Sequence, residues 1–164
     1  MDIPAPKPAQ VIRYSYLWAA EHGGGRDEGI KDRPVAIVLA LQTDGDSEKV
    51  AVVPITHSPP TAGTDAIEIP AAIKRHLGLD DAKSWVVLTE INLFTWPGPD
   101  LRPISASGKD TILYGYLPAG FFRTIRDRLT ANIRGDLHLK LKIRAAQERT
   151  TVGELIEQWV EGWR

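Results

Sequence analysis

The sequence predicts a mainly β domain with appended helices, and three observations carry that expectation. Strand-length apolar or alternating stretches fill the first part of the chain, at residues 11–18, 35–41, 49–56, 66–69 and 85–94. Clusters of Gly, Pro, Asp and Thr separate them, as turns require. A long helical period starts only at Pro118.

Taken in order, Ile12, Tyr14, Tyr16 and Trp18 alternate with Val11, Arg13, Ser15 and Leu17, and this aromatic and β-branched content favours a strand. Residues 19–32 carry Gly23, Gly24, Gly25 and Gly29 among charged side chains, too polar to pack, so they form a long loop of the kind that often carries function. The continuous apolar run 35–41 predicts a central strand buried on both sides. After the Asp44-Gly45-Asp46 turn, residues 49–56 supply its antiparallel neighbour. Pro54 removes a ladder donor there, which calls for a bulge or an edge.

A short strand at 66–69 precedes a short helix at 70–77, with Pro70 at its first turn and Gly78 at its end. Residues 85–94 form one further strand, closed by Trp96-Pro97-Gly98-Pro99. A helix follows at 118–133, where Phe122, Ile125, Leu129 and Ile133 share helical spacing and Gly135 ends the run. Leu137, Leu139, Leu141 and Ile143 then alternate with His138, Lys140, Lys142 and Arg144, which predicts a strand, although Leu and Lys are also good helix formers. Thr151 and Glu154 match a capping box ahead of Leu155, Ile156, Trp159, Val160 and Trp163, a final amphipathic helix. The organisation expected is a flexible Pro/Ala-rich arm at 1–10, a small barrel or curled sheet with its helix at 11–135, and a C-terminal extension at 136–164 packed on the same domain or on a dimer seam.

With 164 residues, 43% of them hydrophobic and 25% charged, the chain suits a single globular domain and excludes collagen, coiled coil and disorder. A formal charge of −1 gives no global pull toward nucleic acid or membrane, so any polyanion site must be local. The charge is nevertheless uneven: residues 121–149 hold 8 basic against 3 acidic side chains. That segment reads either as a phosphate-facing surface or as a solvated helix face.

The absence of cysteine removes disulfides, thiol nucleophiles and thiolate metal sites together. His22, His57, His76 and His138 show no metal-binding spacing, so no metal is expected. No P-loop, nucleophile elbow or dinucleotide fingerprint is present, so no cofactor is expected either. Without a long apolar run or a signal-peptide pattern, the expectation is a cytoplasmic protein with no membrane partner.

Two motifs carry candidate chemistry. Pro34 fixes the chain direction where the Gly-rich loop enters the buried strand and restricts Arg33 to an extended backbone, which holds a guanidinium at the lip of the sheet. A planar fork of donors suits a phosphate and the charge of a phosphorane-like transition state; the blander alternative, which Arg33 on its own favours, is a structural salt bridge to Asp32 or Glu28. The second motif is Pro54-Ile55-Thr56-His57-Ser58, at the far end of the antiparallel neighbour, which should bring Thr56 beside Arg33. Hydroxyls at Thr56 and Ser58 can hold a phosphate oxygen and His57 can move a proton; the alternative is an ordinary strand end whose Thr serves the backbone.

These residues resemble the PemK/MazF toxins of bacterial toxin-antitoxin systems. The likeness runs through Asp32-Arg33-Pro34-Val35-Ala36-Ile37-Val38, Val52-Val53-Pro54-Ile55-Thr56, Ile67-Glu68-Ile69, Gly78-Leu79, Val86-Val87-Leu88-Thr89-Glu90-Ile91 and the helix after Leu117, and so covers about residues 11–129. The resemblance implies an SH3-like β-barrel working as a homodimer, a metal-independent endoribonuclease of single-stranded RNA whose activity a cognate antitoxin protein blocks. It assigns catalysis to Arg33 and Thr56 and matches a loop Glu of the family to Glu28; Arg26 of the same loop, His57 and Ser58 join Glu28 as candidate substrate contacts on the reading of the residues themselves. The reaction implied is attack of an RNA 2′-hydroxyl on the adjacent phosphate. Three departures stand out: the first strand opens Val11-Ile12-Arg13-Tyr14 where the family has Gly-Asp, the loop is longer and reads Arg26-Asp27-Glu28-Gly29, and Lys31 replaces a Gly. Two competing expectations are a toxin of the same fold that binds DNA gyrase through a C-terminal Trp, here Trp163, and a non-toxic RNA-binding descendant.

Overall fold

The computed structural model describes residues 1–18, 23–25, 31–42, 47–104 and 110–149. The chain divides into two compact units, 1–126 and 127–164, and the first holds every strand described below. Its elements are β1 (Gln10–Ser15), β2 (Asp32–Gln42), β3 (Glu48–Thr56), β4 (Ala66–Glu68), α1 (Ala71–His76), β5 (Trp85–Val87), β6 (Asn92–Trp96), β7 (Leu113–Tyr116) and the start of α2 (Ala119–Glu148). Among the described residues the fold is therefore mainly β with two helices, as composition and periodicity predict. All strand pairs are antiparallel, in the order β4-β5-β3-β2-β1-β7 with β6 also on β3. Among the described residues β4 and β7 do not pair with each other, so the sheet is open.

Register explains where the core lies. Side chains directly opposite one another share a face. Ile12 faces Val35, and Ile37 faces Val52. These four join Tyr14, Tyr16, Val50, Trp96, Leu101 and Ile112 in one buried cluster. Phe94 stacks on Tyr14 with ring centroids 4.9 Å apart, which adds aromatic contact at the rim of that cluster. The row Val11, Ala36 and Val53 lies on the opposite face and is buried as well.

The expectation that 35–41 is buried on both sides holds only for its first half. A register shift between Ile37 and Leu39 is a bulge, and one extra residue reverses the alternation beyond it. Ala40 then lies on the face that Ile37 occupies, while Leu39 and Leu41 turn outward and are 44% and 46% exposed. The bulge thus falls on β2. Pro54 instead lies where the outer edge of β3 changes partner: β6 reaches Val52, β5 starts at Ile55, and no described residue is registered against Val53 or Pro54 on that side.

Two other expectations are corrected. The single strand 85–94 is two strands: from Val52 to Ile55 β3 advances three residues while the facing segment, Val86 to Asn92, advances six, so the excess bends out of the ladder. β7 was not foreseen, and the strand expected at 137–143 is helical, part of α2 running through Gly135. Leu and Lys at alternating positions satisfy helix propensity as well as a period of two, and here the helix prevails. In the first ten residues the amino terminus meets Asp110 at 2.8 Å, Ala9 N–H donates to Ile37 O, and Gln10 donates to Ala5 O and Tyr116 Oη. The Asp44 turn and the expected final helix lie outside the described residues. No helix among the described residues is long and apolar enough to cross a membrane.

Candidate functional site

The β2–β3 ladder is registered as far as Val35 opposite Pro54, and Arg33 and Thr56 each lie two residues beyond that pair on their own strands. Two adjoining cavities meet there. One, of about 290 Å³, is lined by Lys31, Asp32, Arg33, Thr56, His57, Ser58, Lys74 and Asp80 among others. The other, of about 340 Å³, shares Arg33, Thr56 and Ser58 and adds Trp18, Pro59, Pro60, Thr61, Thr89 and Glu90. Four of the six side chains singled out by sequence, Arg33, Thr56, His57 and Ser58, therefore line one cavity wall. Arg26 and Glu28 lie outside the described residues.

Arg33 is half-buried, and its guanidinium carbon sits 4.9 Å from the Trp18 ring centroid. A cation over an indole face is held by the ring quadrupole, so the fork has a defined seat. Asp32, one salt-bridge partner the sequence offers Arg33, turns instead to Arg13 at 3.4 Å and Arg102 at 3.6 Å. Thr56 Oγ1 accepts the Ser58 N–H at 3.2 Å, which closes a tight turn at the strand end and leaves the hydroxyl proton to donate.

The first cavity has a second polar group that sequence reasoning missed. His57 Nε2 lies 2.9 Å from Asp80 Oδ2, and Lys74 Nζ donates to Asp80 Oδ1 at 2.9 Å and also to Ala82 O. The Lys74 side chain is only 5% exposed, so its ammonium depends on these two acceptors. The bond from Lys74, helped by the charge of His57, holds the Asp80 carboxyl below its ordinary value. Two signals bear on this group: Lys74 lies in the turn before Leu77, which is buried, and Asp80 follows the helix-ending Gly78. The alternating pattern marks Trp18 only as part of a strand, and the resemblance marks Glu90 only as part of a motif.

Chemically, a guanidinium, two hydroxyls and an imidazole around one cavity can bind a tetrahedral oxyanion and exchange a proton with it. The basic segment at 121–149 falls on α2, where Arg123, Arg126 and Arg128 are exposed. Trp163, on which the gyrase-binding expectation rests, lies outside the described residues. Comparison with protein-family models, with curated proteins and with solved structures returned no match for this chain.

Proposed function

We propose that the protein is a metal-independent endoribonuclease of single-stranded RNA, the toxin of a type II toxin-antitoxin pair, with the SH3-like topology of the PemK/MazF toxins. The observation that carries this reading is that Arg33 and Thr56, at the ends of neighbouring strands, both line each of two adjoining cavities. Arg33 stabilises the charge that builds on the phosphate as the 2′-oxygen attacks, and Thr56 orients a phosphate oxygen. Arg33 holds its proton too tightly to serve as a base, so its part is electrostatic. A homodimer and an antitoxin that covers the cleft complete the proposal, and both follow from the resemblance.

The test is incubation of the purified protein with a long RNA in EDTA, followed by end mapping. The proposal expects discrete cuts leaving 2′,3′-cyclic phosphate and 5′-hydroxyl ends, and expects Arg33→Ala to abolish them while circular dichroism stays unchanged. Intact RNA with the wild-type protein, or an Arg33→Ala variant that cuts at the wild-type rate, contradicts it.

A further inference from the structure

The cleavage described above leaves one event without a donor. When the P–O5′ bond breaks, the departing 5′-oxygen needs a proton, and neither Arg33 nor Thr56 is a good source at neutral pH. His57 lines the same cavity as both. An exposed His–Asp pair alone contributes little. This one differs because its carboxylate is fixed from behind, by the buried Lys74 ammonium at 2.9 Å and by the Ala82 N–H at 3.0 Å. With Nε2–H donated to Asp80 Oδ2, the ring is held in one orientation and Nδ1 is the nitrogen left to exchange protons. His57 and Asp80 are 59% and 56% exposed, so the pair opens to solvent and can be reprotonated. The charged groups that share the cavity with His57 are Lys31 just before β2, Asp32 and Arg33 of β2, Lys74 of α1 and Asp80 of the following loop.

We infer that His57 is the general acid of the proposed cleavage, delivering a proton to the 5′-oxygen, and that Asp80 and Lys74 are positioning residues for its ring. The inference rests on the ribonuclease reading. In the step, the 2′-oxygen forms a bond to phosphorus and its proton leaves to water. The P–O5′ bond breaks, its electron pair stays on the 5′-oxygen, and that oxygen takes the Nδ1 proton of the imidazolium. Water then restores the proton to His57. The products are a 2′,3′-cyclic phosphate and a 5′-hydroxyl, and no co-reactant is consumed.

The test compares an ordinary RNA linkage with one whose 5′-bridging oxygen is replaced by sulfur, since a thiolate leaves without protonation. On ordinary RNA, His57→Ala is expected to slow single-turnover cleavage by about 10²–10⁴-fold. Asp80→Asn is expected to give a smaller loss, and the double variant to be no slower than His57→Ala. On the sulfur linkage both single variants should cut within a few-fold of wild type, whereas Arg33→Ala stays slow on both. The alkaline fall of the pH–rate profile that reports a required proton should disappear in His57→Ala. Wild-type rates for His57→Ala on ordinary RNA, or equal losses on both linkages, overturn the inference and leave the ribonuclease reading standing. A wild-type protein that cuts neither linkage overturns both.

Discussion

Arg33 gains its role from its neighbours. Pro34 sets its backbone, Trp18 seats its guanidinium, and Thr56 at the end of β3 lines the same two cavities. Removing the Trp18 face by Trp18→Ala should loosen that seat by about 0.5–2 kcal/mol, seen as weaker binding of a non-cleavable 2′-deoxy substrate with the fold intact. Thr56→Val keeps the shape and deletes the donor, so cleavage should fall about 10²–10³-fold with little change in substrate affinity. Asp80 makes a separate, acid-sensitive contribution. Its folded pKa lies below the free value of 3.8, so the stability it adds is complete above that pH and is lost as pH falls through the folded value. Acid titration of wild type against Asp80→Asn should show the variant losing less stability below about pH 4. At this scale the sequence was legible where backbone logic sufficed, as for Arg33-Pro34 and Thr56. It was not legible where the partner comes from a separate element, as with Lys74 beneath Asp80 or Trp18 beneath Arg33.

Among the elements, α1 matters beyond its length because its end delivers Asp80 to the cavity. Gly78 terminates it at φ +66°, a left-handed conformation that costs a side-chain-bearing residue about 1–2 kcal/mol. Gly78→Ala should destabilise by that amount in urea unfolding. Tyr14 of β1 and Tyr16 just beyond it carry the alkaline limit. Burial, assisted by Asp100, pushes the Tyr14 hydroxyl up to about 12, and burial raises Tyr16 further. Both folded values lie above the ordinary 10.0, so the advantage of the folded state is whole below pH 10 and shrinks as pH climbs toward 12. Urea midpoints measured across that window should fall, and fall less in Tyr14→Phe. Strands β1 to β4 and helix α1 were readable because pattern and punctuation agree there. β7 escaped because it is four residues long with Gly115 inside it, which erases the alternation signal. The bulge that exposes Leu39 and Leu41 is equally silent in the sequence, since every residue from Val35 to Leu41 is apolar.

For the molecule as a whole, the same antiparallel strands that bury Ile12, Val35, Ile37 and Val52 carry Arg33 and Thr56 just beyond their last registered pair, Val35 and Pro54, so the core and the candidate site are built on the same strands. A slip of one residue between β2 and β3 would send every side chain to the other face and separate the pair. The mainly β class and the helices at its edge were legible from the spacing of apolar runs. The open sheet, with β3 bordered by β6 and then β5, was not, because it depends on the excess residues between Val86 and Asn92. The most direct measurement of the central claim is single-turnover cleavage of one defined RNA by wild type, Arg33→Ala, Thr56→Val and the double variant. Two side chains acting on one phosphate give losses that fail to multiply, so the double variant should be no slower than the slower single one. Losses that multiply in full, as for independent sites, would contradict the account.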